Sequence, residues 1–198
     1  MSKPYLVISA PVATVSGYGS HARDIVRSLR DLDKYDIKII SQRWGSTPMN
    51  ALSPNDEFHM WMLQRMISPK LTQKPDIWIQ ITVPNEYQRV GKFNIGITAG
   101  IETNLVHNEW IDGMNRMDLN IVTSEHSKQS FLNSVYQKKD QNGNPVGELK
   151  VTKPIEVLFE GFDERVYINK QHDIQGSFLD DELNKIEEDF VFLFVGHW

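Results

Sequence analysis

Tyr5-Leu6-Val7-Ile8-Ser9, then Ser16-Gly17-Tyr18-Gly19-Ser20-His21-Ala22, then Asp36-Ile37-Lys38-Ile39-Ile40 decide the fold. The first run is apolar without alternation, the mark of a strand buried on both faces. The second is a glycine loop that leads into Ala22, Ile25, Val26 and Leu29 at helical spacing, and the third is a second strand. Strand, glycine loop, helix, strand is a βαβ unit, and such units build parallel sheets with helices packed on their faces.

Outward from this unit the alternation continues. Asp76–Ile81 and Phe93–Thr98 read as strands, Trp110, Ile111 and Met114 as a helix, and Leu119–Thr123 as a strand. Ser124 is placed to cap a helix containing Ser127–Val135, and Val157-Leu158-Phe159 resumes as a strand. The pattern predicts an α/β fold: a Rossmann-like, open, mainly parallel sheet with helices on both faces. Phe58–Ile67 is apolar almost all round and predicts a buried helix, a Met-rich acceptor surface or interfacial segment being the alternative. Gln137–Lys150 is polar and turn-rich, an exposed loop or hairpin, and Asp180–Asp189 reads as a solvated acidic helix. Phe190–Val195 reads as a strongly apolar strand with a glycine turn behind it, so the chain is expected to stop where a second domain begins. The domain expectation is therefore 1–167, a linker over 168–189, and 190–198 as the first strand of a truncated domain. Such an unpaired strand, Phe190–Val195, is expected to pack elsewhere or to mediate self-association.

Composition narrows the function classes. A chain of 198 residues, 40% hydrophobic, can bury roughly 70% of its extended surface, which excludes an intrinsically disordered class. A net charge of −5 argues against nonspecific nucleic-acid binding, and the aromatics are not interleaved with basic residues. The absence of cysteine excludes disulfides, thiolate metal sites and a Cys nucleophile, and fits a cytoplasmic location. There is no membrane-length apolar run and no secretory signal. The six histidines (21, 59, 107, 126, 172 and 197) show no metal-ligand spacing, so neither a metal nor a resident cofactor is expected.

Two places can carry chemistry. Gly17-Tyr18-Gly19-Ser20-His21-Ala22 formally matches G-x-G-x-x-G/A, a loop that lets backbone approach a phosphate beside a helix N-terminus. The glycines stand about seven residues beyond the first strand, and Ile40-Ser41-Gln42-Arg43 offers no acid for a ribose hydroxyl. A ligand other than a dinucleotide, or a purely structural turn, therefore competes with the nicotinamide reading. Gly100-Ile101-Glu102-Thr103-Asn104 follows a strand directly, where an open α/β sheet places its ligand crevice, a solvated loop acid being the alternative. Ser124 and Glu160-Gly161 follow later strands in the same way, Ser124 being equally explained as a cap.

Three segments together with the glycine loop resemble the glycosyltransferases of retaining family four. TAGIETNLVHNEWIDGMNRMDLNIVTSEHSKQSF (Thr98–Phe131) is similar to that family's "[FY]-E-[ST]-[DN]" turn, tryptophan, and strand ending in Ser before a helix with Phe. Ile155–Asp163 through Val166-Tyr167 resembles its "V-x-P-x-G-V-D-x-x-x-F" segment, with Phe159 where proline is usual and Glu160 where Asn or His is common. Phe190–Gly196 resembles the "F-x-F-L-x-V-G" strand that opens its nucleotide-sugar domain, and Ser16–Leu29 its glycine loop and helix. The resemblance implies a two-Rossmann-domain transferase that moves a sugar from a nucleotide-sugar donor to a glycosyl acceptor with retention. It implies that Gly17 and Gly19 lie near the donor diphosphate and Glu102 in the interdomain cleft near the acceptor, with Thr103, Ser124, Glu160 and Gly161 as further substrate contacts. It assigns no base, since the histidine that many relatives carry has no evident match. The family's donor-binding Arg/Lys pair and paired glutamates would lie beyond Trp198, so this chain alone is expected to be nearly inactive. A non-catalytic carbohydrate- or nucleotide-binding module is the alternative, with a nicotinamide oxidoreductase behind it.

Overall fold

Leu6, Val7, Ile8 and Ala10 are wholly or almost wholly buried because their strand lies inside a sheet that is covered on both sides. In the computed structural model, which describes residues 2–162, 164 and 175–192, this strand is β1 (Tyr5–Ala10). It is followed by α1 (Gly17–Leu32), β2 (Asp36–Ser41), α2 (Glu57–Leu63), β3 (Ile77–Ile81), a 3-10 turn at Pro84–Glu86 and β4 (Phe93–Thr98). Next come α3 (Asn108–Arg116), β5 (Leu119–Val122), α4 (Glu125–Asn133), β6 (Tyr136–Lys139), β7 (Pro145–Leu149), β8 (Ile155–Val157) and α5 (Phe178–Leu183). Six strands form one parallel sheet in the order β2-β1-β3-β4-β5-β8. This is the Rossmann-like α/β architecture that the sequence predicts.

Strand periodicity divides the core in two. Leu6, Ile8 and Ala10 of β1 point to one face and pack with Ala22 and Val26 of α1 and Phe58 and Met62 of α2. Val7 points to the other, where Ile111 and Met114 of α3 and Phe131 of α4 gather. The chain leaves β1 toward β2 with α1 on the first face and later runs from β4 to β5 with α3 on the second. Opposite directions on opposite faces are what right-handed crossovers demand.

The Met-rich helix departs from expectation. Only Phe58 and Met62 of α2 are buried; the guanidinium groups of Arg27 and Arg30 cover the Phe58 ring and that of Arg65 covers Trp61, a polar cover where an apolar one was expected. The helix also ends early: Arg65 and Ile67 exchange backbone hydrogen bonds with Ile39, so the chain runs extended along the edge of β2. Of the loop or hairpin expected over Gln137–Lys150, the structure has the hairpin, with β6 and β7 antiparallel. The acidic stretch is helical only over the six residues of α5.

The chain divides into two compact units, Met1–Glu160 and Gly161–Trp198. The boundary expected at 167/168 lies outside the described residues. Phe190–Phe192 have no regular structure, and the remainder of the strand expected there lies outside the described residues as well. Among the described residues no helix is long and apolar enough to cross a membrane.

A polar knot pins the amino-terminal edge of the sheet. Asn94 accepts the N–H groups of Val90 (2.9 Å) and Gly91 (2.7 Å) at Oδ1 and donates to Asp118 Oδ2 (3.0 Å), which also accepts the Asn94 N–H (2.9 Å). Arg89 pairs with the same carboxylate at 2.8 Å. Burial pushes the Asp118 carboxyl up, but the hydrogen bonds from Asn94 and the Arg89 guanidinium outweigh it and hold it below the usual range. A depressed carboxyl stabilises the fold above its unfolded value and loses that contribution as pH falls through its folded value. Asp118→Asn is therefore expected to lower stability at pH 7 by about 1–3 kcal/mol and to flatten the loss of stability below about pH 4, as read by urea denaturation across pH.

The hairpin tip is exposed, whereas Leu149 at its base is buried and Tyr136 donates its hydroxyl to the Val106 carbonyl. Replacing Asp140–Asn144 by a two-residue Asn-Gly turn is expected to change unfolding free energy by less than about 1 kcal/mol. Leu149→Ala should cost about 2–5 kcal/mol in the same denaturation measurement. A loss above about 2 kcal/mol on shortening would show that the tip packs specifically.

Candidate functional site

The carboxyl-terminal strand ends carry the convergent chemistry, and Tyr18 stands at their centre. Ser16 caps α1 by accepting the Gly19 N–H at 3.0 Å, and the Ser20 N–H closes on the Ser16 carbonyl at 2.9 Å. The N–H groups of Gly17 and Tyr18 thus precede the first intrahelical bond. From this first turn Tyr18 reaches β4: its hydroxyl lies 2.9 Å from Thr98 Oγ1 and accepts the Ala99 N–H at 3.1 Å. Its ring stacks on Trp44, in the loop after β2, at 4.0 Å between centroids.

Two acids reach the same place electrostatically. Burial raises the Tyr18 phenol; the hydrogen bonds to Thr98 and Ala99 pull it down, and the carboxylates of Glu160 and Glu102 push it up again, for a net rise. Glu160, just beyond β8, lies 3.2 Å from Nδ1 of His21 on α1. The His21 ring is largely buried, and its Nε2 makes no hydrogen bond among the described residues. Glu102 is exposed and makes no ion pair among the described residues.

The loop bearing Glu102 is fixed from beneath. The Ala99 carbonyl accepts the hydroxyls of Thr123 (3.0 Å) and Ser127 (3.1 Å), and Gly100 adopts φ +90° with a Cβ there meeting Ser127 Oγ at 2.2 Å. The first turn of α4 therefore seats this loop only because residue 100 is glycine. Thr103 spends its hydroxyl on the Leu105 carbonyl at 2.8 Å, and Ser124 caps α4 through the Ser127 N–H at 3.1 Å.

The expected site residues thus fall into groups. The Gly17–Gly19 turn carries Tyr18, whose phenol the carboxylates of Glu160 and Glu102 push up. The hydroxyls of Thr103 and Ser124 serve the local backbone, and Gly161 opens the second unit, with open space where its Cβ would stand. The two glycines of the loop differ. Gly17 is exposed, with open space at its Cβ position; Gly19 is buried, and a Cβ there would stand 2.4 Å from the Thr14 carbonyl oxygen. Tyr18, His21, Trp44 and Arg23 receive no role from the sequence. Arg23 donates to the carbonyls of Val12 (2.9 Å) and Thr14 (3.0 Å) and so holds the loop against the helix. The signal for Tyr18 and His21 lies within the glycine motif, as the large residues between and after its glycines.

Open grooves of about 430 and 340 Å³ lie at the opposite edge, beside Tyr5 and Asp36 at the strand starts. They lie away from the helix N-terminus and the carboxylates; in open α/β sheets the ligand crevice is at the carboxyl ends, next to the switch between β1 and β3. No family model, no curated protein and no solved structure matches this chain.

Gly19→Ala is expected to cost about 1–3 kcal/mol, because the Thr14 carbonyl is backbone and cannot rotate away. Gly17→Ala should be neutral within about 0.5 kcal/mol. Urea denaturation of the two variants side by side checks the contrast.

Proposed function

We propose that this chain is the acceptor-side half of a glycosyltransferase resembling retaining family four, working in the cytoplasm. The observation that carries the reading is the carboxyl edge itself: Glu160 pairs there with His21 of α1, and the open first turn of that helix carries Tyr18, whose phenol both Glu160 and Glu102 push up. An exposed carboxylate on a firmly seated loop suits the hydroxyls of a saccharide, each charge-assisted hydrogen bond being stronger than a neutral one. The N–H groups of Gly17 and Tyr18, which precede the first intrahelical bond of α1, with the positive end of the helix, suit a diphosphate that departs as negative charge develops on it. In this reading the nucleotide-sugar pocket belongs to a second domain. The His21–Glu160 pair and the Tyr18–Trp44 stack then form the floor and wall against which the acceptor is held. Metal and cofactor play no part in it.

The test is an amide-resolved NMR titration of the chain with a panel of saccharides, nucleoside diphosphates and reduced nicotinamide cofactors. Saccharide is expected to shift Tyr18, Ala99 and the residues flanking Glu102, and Glu102→Gln should weaken that binding about tenfold while the melting temperature stays within about 2 °C. Shifts confined to the amino-edge grooves, or a response to nicotinamide cofactor without any to saccharide, would overturn the reading. A Glu102→Gln chain that unfolds would make the carboxylate a structural group.

A further inference from the structure

The segment Ser177–Phe192 carries an amphipathic pattern that the candidate site leaves unused and that owes nothing to the glycosyltransferase reading. None of the residues of α5 is buried. Leu179 and Leu183 stand one helical turn apart on α5, and Ile186 and Phe190 follow in the irregular chain beyond it. These four side chains are 53, 46, 41 and 74% exposed. Beside them stand Asp180, Asp181, Glu182, Glu187, Glu188 and Asp189, against a single lysine, Lys185, that is already paired with Glu182. Exposed apolar side chains flanked by charge of one sign mark a segment that seats against a partner surface.

A face of complementary character exists on residues 1–160. The guanidinium groups of Arg27 and Arg65 lie 4.1 Å and 4.0 Å from the ring centroids of Phe58 and Trp61. Beside them runs the groove of about 340 Å³, whose walls include Tyr35, Ile37 and Trp61. Its acids are already partnered: Asp33 pairs with Lys3 at 2.5 Å and Asp36 with Lys38 at 3.5 Å. Arg30 pairs with Asp31 at 2.9 Å. Arg65 donates to the Trp61 carbonyl at 3.2 Å, and Asp56 acts on Arg27 only at a distance. Neither arginine has an ion-pair partner within 4 Å among the described residues, so both can take further carboxylates.

We infer that residues 177–192 of one copy dock on the α1–α2 face of a second copy, the apolar side chains against Trp61 and the groove, the carboxylates toward Arg27 and Arg65. An acidic segment is repelled by an anionic lipid surface, which turns the balance away from a membrane. Reciprocal exchange of the segments closes a two-fold dimer with two equal contacts. Four apolar side chains per contact place it among small, weak, salt-sensitive interfaces.

Sedimentation velocity of the chain from about 5 µM to about 500 µM tests this, a range that brackets a weak interface. The sedimentation coefficient is expected to rise with concentration, and to rise less at about 500 mM salt than at about 50 mM. Leu183→Glu should move the association midpoint at least about tenfold upward. Arg27→Glu should weaken association about threefold or more, as should Glu187→Arg with Glu188→Arg, and the chain carrying all three changes should recover toward the parent. Arg27→Gln gives the same readout with a smaller change should Arg27→Glu lower the melting temperature. A chain that stays monomeric throughout overturns the inference. So does association that Leu183→Glu abolishes while the Arg27 changes leave it untouched, since the segment then meets another surface, and so does failure of the combined reversal to recover.

Discussion

The handedness of the strand–helix–strand crossover governs this molecule. A right-twisted strand feeding a right-handed helix packs back onto its sheet in one hand only. The chain steps from β1 to β2 in one direction and afterwards builds β3, β4 and β5 in the other. Its first helices must therefore lie on one face and its later ones on the other, as the two core clusters record. Between β1 and β3 the connections leave in opposite directions and cannot cover the strand ends, and a crevice opens there without any further design. The apolar runs that bury both faces and the polar residues that collect at one edge follow from this single constraint.

What turns the crevice into a defined site is the tie between the first and second halves of the sheet. The Tyr18 hydroxyl spans from the start of α1 to the end of β4, eighty residues away in sequence, and Arg23 and Ser16 hold the loop on which Tyr18 depends. Gly19 belongs to this support rather than to the open surface, since the close approach of the helix to the Thr14 carbonyl occupies the space a side chain would need. Gly17, one turn position earlier, is left open. Two glycines two residues apart thus differ: packing demands the one and leaves the other free.

Much of the fold was legible because burial writes itself into short apolar runs: the observed bounds of β1, β2, β3, β4 and β5 fall within a residue of those read from the sequence. The Met-rich helix misled because apolarity all round is ambiguous when the covering groups are arginines from another helix, whose stems and guanidinium planes the local pattern does not announce. The site was legible only in outline. Glu102 and Glu160 could be placed at strand ends by position, but the His21–Glu160 pair joins residues 139 positions apart, and only the closed sheet brings them to 3.2 Å. For the same reason the sequence could not distinguish the two glycines, which differ in tertiary surroundings and not in local spacing.

The two edges of the sheet differ in how completely their polar groups are used. At the amino edge Asn94, Asp118 and Arg89 satisfy one another and the turn above them, the arrangement of a group kept for stability. At the carboxyl edge His21 Nε2 and the Ser41 hydroxyl are buried without a hydrogen bond among the described residues, Glu102 stands unpaired, and the N-terminus of α1 is capped by Ser16 at Gly19 alone of its first three N–H groups. An unsatisfied buried polar atom costs free energy comparable to a lost hydrogen bond. The Tyr87 hydroxyl, packed over Gly96 in the middle of β4, and Asn120 Oδ1, near the start of β5, are likewise buried without a partner among the described residues. The carboxyl edge is therefore set apart by the open first turn of α1 beside His21 and Ser41 rather than by unsatisfied atoms alone.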